Sequence, residues 1–135
     1  MLNGLSPAPI VVLVHRGRRS GKTYRTPVEA LVDDTERGEI VISPMFGEHS
    51  DWYRNVIAGG LVEVRRKGVG EQMEWRRLSG EECREAIAVY RENHPVYSRM
   101  ILRMLVRIHG LAGDPVEAVL RALPMLALQP PASGR

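Results

Sequence analysis

The feature that most constrains this chain is a change of hydrophobic period near residue 79. Before it, apolar residues come in short runs or at every second position, the period of a strand; after it they recur every third or fourth, the period of a helix. Residues 10–15, IVVLVH, form a β-branched run bounded by Pro9 and Arg16-Gly17 and read as a strand buried on both faces. Residues 24–33 alternate as a second strand, with Pro27 at an edge or bulge position. Residues 39–43, 61–67 and 71–78 give three more, the last carrying Trp75. Ser50 or Asp51 can cap a short helix through about Ala58, stopped by Gly59-Gly60.

Ser79-Gly80-Glu81-Glu82 is a capping box, and Cys83, Ala86, Ile87 and Tyr90 follow at helical spacing. Pro95 restarts the helix, with Tyr97, Met100, Ile101, Met104, Leu105 and Ile108 as its apolar stripe. Asp114-Pro115 opens a third helix, with Val116, Val119, Leu120 and Leu123 inward, and residues 125–129 suit a closing strand. Strands first and helices later predict an α+β chain, and consecutive strands of this kind commonly curl into a barrel. At 135 residues the expectation is a single domain, with barrel strands at about 10–78 and helices at about 79–123.

Composition narrows the functional classes. With 44% hydrophobic and 26% charged residues the chain can build a core. No apolar run approaches the roughly 20 residues of a membrane span, and residues 1–9 lack the pattern of a secretory signal, so the expected location is cytoplasmic. Cys83 is the single cysteine, which excludes an internal disulfide and a thiolate cluster and fits a packing residue. The four histidines, His15, His49, His94 and His109, show no ligand spacing, so no metal site is expected.

The net charge of +3 is less informative than its placement. Arg16, Arg18, Arg19, Lys22 and Arg25 fall in one short stretch with no acid among them. The loop GRRSGK between two strands suits an anion cradle. Gly17 and Gly21 allow a sharp turn and close approach, exposed N–H groups can form a nest, and the guanidinium groups supply forked donors. It matches neither the nucleotide P-loop nor the dinucleotide pattern. A solvated basic loop is the plain alternative. Nucleic-acid binding is disfavoured because aromatic residues are few, with one Phe and two Trp in the chain and Tyr24 alone among the basic residues.

LVHRGRRSGKTYRTPVEAL (13–31), VISPMFG (41–47) and DWYRNVIAGG (51–60) together resemble the deazaflavin-dependent nitroreductase/quinone reductase family. The resemblance runs in order over about residues 10–78, with a weaker echo at 122–130. It implies a split β-barrel like that of the flavin-binding oxidases, here about six mostly antiparallel strands with C-terminal helices. It implies an oxidoreductase that passes a hydride from reduced coenzyme F420 to a quinone, nitroaromatic or similar activated small molecule. Arg18, Arg19, Ser20, Gly21, Lys22 and Arg25 would then hold the coenzyme's anionic tail, with Thr26 and Pro27 beside it. Ser43, Pro44, Met45, Phe46 and Gly47 would lie against the deazaflavin ring, and Trp52, Tyr53 and Asn55 at the mouth of the substrate pocket. Trp52 suits the core equally well, and Tyr53 is the candidate to donate a hydrogen bond or proton.

Three departures stand against the family pattern. Members usually carry a helical segment before the first strand, which here begins near residue 10; Ser50-Asp51 replaces a common proline; and the helices after residue 80 exceed the smallest members. These leave two rival expectations: a coenzyme carrier without turnover, or an FMN-using reductase on the same barrel. The C-terminal helices suit a lid or a homodimer surface, and the stripe with Arg99, Arg103 and Arg107 opposite it allows peripheral membrane contact as well as core packing. Arginine outnumbers lysine 17 to 2, in keeping with the GC-rich actinobacteria that make this coenzyme.

Overall fold

A computed structural model describes residues 6–132. In chain order it holds β1 (Ile10–Arg16), β2 (Thr23–Glu29), β3 (Val32–Asp34), β4 (Glu39–Ile42), α1 (Asp51–Asn55), β5 (Leu61–Arg66), β6 (Val69–Glu71) and β7 (Glu74–Arg77). Then follow α2 (Gly80–Asn93), α3 (Pro95–Ile108), α4 (Pro115–Ala122) and β8 (Leu126–Gln129). Two four-stranded antiparallel sheets result, ordered β2-β1-β5-β6 and β3-β4-β8-β7.

The expectation of a split barrel of about six strands is corrected in its count: eight strands lie in two separate sheets. Two runs that alternate without interruption each divide between the sheets. At Ala30-Leu31 the chain crosses over: the Ala30 amide donates to Pro9 O (2.8 Å) beside β1, and the Leu31 amide donates to Val41 O (2.8 Å) in β4. The second crossing lies between β6 and β7, where Met73 is buried. Among the described residues no ladder joins the two sheets. Alternation reports which side of a strand is buried, and it does not report which strand lies alongside.

The sheets nevertheless share a core. Val11, Leu13, Val28 and Val64 from one sheet meet Ile40, Ile42, Leu126 and Leu128 from the other. The opposite face of the second sheet, at Val41 and Ala127, packs against Cys83, Ile87, Tyr90, Leu102, Leu105 and Val119 of the helices. β4 and β8 are therefore covered on both faces, which explains their nearly unbroken apolar sequence.

Local signals at the helix starts are realised. Ser79 Oγ accepts from the Glu82 amide (3.1 Å) while Glu82 Oε1 accepts from the Ser79 amide (2.9 Å). Asp114 caps α4 through the Glu117 amide (3.1 Å). Ser50 precedes α1 without a side-chain cap; its hydroxyl donates to Gly47 O (2.8 Å) instead. α1 continues through a π-turn over Val56–Gly60. Gly60 is obligatory there, since a Cβ would stand 2.5 Å from Arg16 O and 2.8 Å from Asn55 O. That close approach seats α1 against the end of β1 and brings Asn55 to the loop that follows it.

The apolar stripe expected on the helix that Pro95 opens is also corrected. α3 buries Ser98, Leu102 and Leu105, and leaves Met100, Met104 and Ile108 exposed. Apolar residues cover so much of α3 that periodicity alone does not select the packed face.

Candidate functional site

The loop between β1 and β2 closes on itself. The Gly17 amide donates to Lys22 O (2.8 Å), the Gly21 amide to Gly17 O (3.0 Å) and the Lys22 amide to Ser20 Oγ (3.1 Å). The Arg18 amide donates to Asn55 Oδ1 (3.1 Å). This corrects the expectation of an open nest: of residues 17–22, Arg19 and Ser20 keep amides without a protein acceptor among the described residues. The loop's value for an anion lies in its side chains.

Those side chains surround a cavity of about 560 Å³, lined by Arg18, Arg19, Ser20, Arg25, Thr26, Trp52 and Asn55 together with His15, Gly17, Tyr24 and Asp51. Arg18 is partly neutralised by Asp51 (3.2 Å), itself 86% exposed. Arg19 and Arg25 form no ion pair among the described residues, so two guanidinium groups remain available to an anion. Gly21 and Lys22, assigned to the tail from the sequence, do not line this cavity.

A buried relay fixes the floor. β1 carries a register shift against β5 at Val14/His15, so that Leu13, Val14 and His15 are buried in succession. Arg18 has donors alone, and both its amide and its guanidinium Nη1 (2.8 Å) point at Asn55 Oδ1. Asn55 must therefore turn its NH₂ toward His15 Nδ1 (3.2 Å), which accepts. The His15 proton then sits on Nε2 and is donated to Thr26 Oγ1 (2.8 Å), leaving the Thr26 hydroxyl hydrogen free to donate elsewhere. Burial lowers the His15 pKa, which keeps the ring neutral as this chain of bonds requires. Tyr24 stacks on His15 with ring centroids 5.8 Å apart.

Trp52 also forms the wall of a second cavity, of about 270 Å³, lined by Pro27, Val28, Glu29, Ser43, Met45, Phe46, Tyr97, Ile101 and Met104. The Ser43–Gly47 segment is held from behind. Ser43 Oγ donates to Pro124 O (2.8 Å), and His109 at the end of α3 donates from Nε2 to Met45 O (2.6 Å). Ser43, Met45 and Phe46 line the cavity, whereas Pro44 is fully buried and Gly47, at φ +114°, forms the turn that returns the chain to α1.

Tyr53 is not at a pocket mouth. Its ring is 1% exposed in the core shared by the sheets, and its hydroxyl accepts from Arg77 Nη2 (2.8 Å). Adjacent residues on a helix face different ways, so Trp52 reaches both cavities and Tyr53 reaches neither. Sequence reasoning missed His15, Tyr24 and Asp51 on the polar side and Glu29, Tyr97, Ile101 and Met104 on the apolar side. His15 had a signal, a polar residue closing an apolar strand beside the arginine loop. Tyr97, Ile101 and Met104 had one too, an apolar excess on α3 beyond what packing needs.

Two antiparallel sheets flanked by helices define an α+β protein, and the site couples a cavity lined by arginines to one lined mostly by apolar side chains. Residues 2–105 match the family described as F420H(2)-dependent quinone reductase, and the chain belongs to it. It is accordingly an F420-dependent reductase, with F420 rather than FMN as the coenzyme its family names. The fold is similar to that of a solved F420-H2 dependent reductase, FDR-A, at 22% identity and a TM-score of 0.61, covering 93% of this chain and 97% of that one. A second solved structure, described as a domain-swapped dimer, is 22% identical with a TM-score of 0.60, covering 92% and 82% respectively. No curated protein matches the chain.

Proposed function

We propose that this reductase binds the phosphate and carboxylate tail of F420H2 in the cationic basin and reduces a quinone, nitroaromatic or similar activated small molecule in the adjoining apolar cavity. The observation that carries this reading is that Trp52 lines both the polar basin and the apolar pocket, which places the two side by side. Arg18, Arg19, Arg25, Ser20 and Thr26 would hold the tail through charge-assisted bonds, and Pro27, Met45, Phe46 and Trp52 would flank the ring. The coenzyme supplies the hydride; the protein supplies position, exclusion of water and charge. No nucleophile is required: the one hydroxyl held beside an imidazole, Thr26, accepts a hydrogen bond from His15 and gives it no proton.

Several finer features belong to the same proposal. Two sheets over a common core, crossed at Ala30-Leu31 and at residues 72–73, are read as the split form of a barrel within one domain. Cytoplasmic residence fits a chain in which no described helix is long and apolar enough to cross a membrane. A homodimer belongs to the same reading, supported by the neighbour described as a domain-swapped dimer; Met100, Met104 and Ile108 stand exposed on α3, and sedimentation measures the assembly.

Fluorescence titration with oxidised F420 and with FMN tests the coenzyme assignment, and menadione turnover tests the reaction. Arg18→Ala with Arg19→Ala is expected to abolish F420 binding while the circular dichroism spectrum is retained. Unchanged affinity in that variant refutes the site.

A further inference from the structure

A quinone that accepts a hydride gains two electrons and one hydrogen, and becomes a monoanion that needs a second proton at its other oxygen. The wall of the apolar cavity holds few groups able to give one. Ser43 has its hydroxyl hydrogen committed to Pro124 O, and an indole such as Trp52 is not acidic in this range. Glu29 and Tyr97 remain.

Glu29 is the last residue of β2 and half-buried, a costly place for a carboxylate without a cation. No arginine or lysine pairs with it among the described residues. The groups that face it are Tyr90 from α2, whose hydroxyl donates to Oε2 at 2.7 Å, Tyr97 from α3, whose hydroxyl lies 3.5 Å from Oε1, and the His94 ring between those helices. Burial raises the carboxyl pKa against the opposing effect of the two phenols and His94. The phenols are themselves poor acids here, since burial and the Glu29 charge push both above the ordinary tyrosine value.

We propose that Glu29 is the catalytic acid that protonates the reduced acceptor in the apolar cavity, with Tyr97 as the positioning residue beside it. The Glu29 O–H bond breaks, an O–H bond forms on the acceptor monoanion, and the dihydroxy product leaves. The carboxylate left behind accepts from Tyr90 and Tyr97, which limits the cost of its charge. Solvent entering the cavity after the product leaves returns the proton to the carboxylate. The inference rests on the reading of this cavity as the acceptor pocket.

The test compares the unmodified enzyme with Glu29→Gln and Glu29→Asp. With Gln, kcat for menadione is expected to fall roughly 10²-fold, the usual size of a general-acid contribution, and far more than F420 affinity by fluorescence, because the coenzyme's tail is held in the basin, which Glu29 does not line. The ionisation assigned to Glu29 should vanish from the pH profile of kcat, and Asp should recover part of the rate. The loss should shrink for halogenated quinones, whose reduced anions are weak bases and need little protonation. Carbon-13 NMR of glutamate-labelled, unmodified protein adds a reading independent of turnover: one carboxyl titrates above the ordinary glutamate range. Equal kcat in Glu29→Gln, an equal loss with every quinone, or titration of Glu29 in the ordinary range each overturns the proposal. If the unmodified protein neither binds nor oxidises reduced coenzyme, the functional reading falls first and takes this one with it.

Discussion

The arginines of this protein live in two different electrostatic settings. Around β5 to β7 they are matched: Arg65 with Glu63 (2.8 Å), Arg66 with Asp33 (2.7 Å) and Glu71 (3.7 Å), and Arg76 with Glu82 (2.9 Å) and Glu39 (3.8 Å). At the β1–β2 loop and the start of β2, Arg19 and Arg25 line a cavity with no carboxylate partner of their own among the described residues, and Arg18 is shared between Asp51 and the Asn55 of the buried relay. A guanidinium whose donors are already satisfied by the fold has little left for a ligand. One held at a concave surface without a partner keeps its full charge for an incoming anion. The same residue type is structural in one region and available for binding in the other.

The contrast can be broken most directly at the basin. Arg19→Ala with Arg25→Ala removes two charge-assisted contacts of roughly 1.5–3 kcal/mol each, so F420 affinity should fall by about two to four orders of magnitude. Fluorescence titration measures it, with the thermal midpoint expected to stay close to that of the unmodified protein. Asn55→Ala probes the link between basin and core. It leaves Arg18 and the buried His15 Nδ1 without their common partner, an expected loss of about 1–3 kcal/mol in urea denaturation accompanied by weaker coenzyme binding.

Acid should act on the same relay. The His15 pKa is lowered by burial, so below the ordinary value of 6.5 the unfolded chain binds more protons than the folded one. Stability held above that pH is lost as the pH falls through the folded value, and His15→Gln should flatten this limb of a pH series of denaturation curves. Glu29 has the opposite sign. Its raised pKa stabilises the fold below the ordinary 4.5 and that contribution is lost as the pH rises through the folded value. The smallest expected effect sharpens the comparison from the other side. Arg76→Ala should leave F420 affinity unchanged and cost less than about 1 kcal/mol, since its side chain is 39% exposed and its ion pairs are screened. A fall in affinity there would show that the matched arginines also serve the ligand.

Much of this was legible along the chain. The period change at Ser79, the capping box, the acid-free basic loop and the ordered motifs from residue 13 to residue 60 depend on neighbours a few positions apart, where local physics decides. Arg18, Arg19, Ser20, Arg25, Thr26, Trp52 and Asn55 were named from the sequence and are brought to one cavity. Tyr53 was placed at the pocket mouth and lies in the core, because one step along a helix turns a side chain through about 100° and only packing selects the buried direction.

What the sequence by itself determined is the order of strands and helices and the place where positive charge gathers. Tertiary structure alone decided that two alternating runs would split between sheets, that α3 would give one face to the helices and one edge to a cavity, and that Glu29 would meet Tyr90 and Tyr97 some 60 to 70 positions away. Burial and charge pattern can be read from a single strand or helix. Which distant groups come to share a cavity depends on how those elements pack, and that is fixed when the whole core closes.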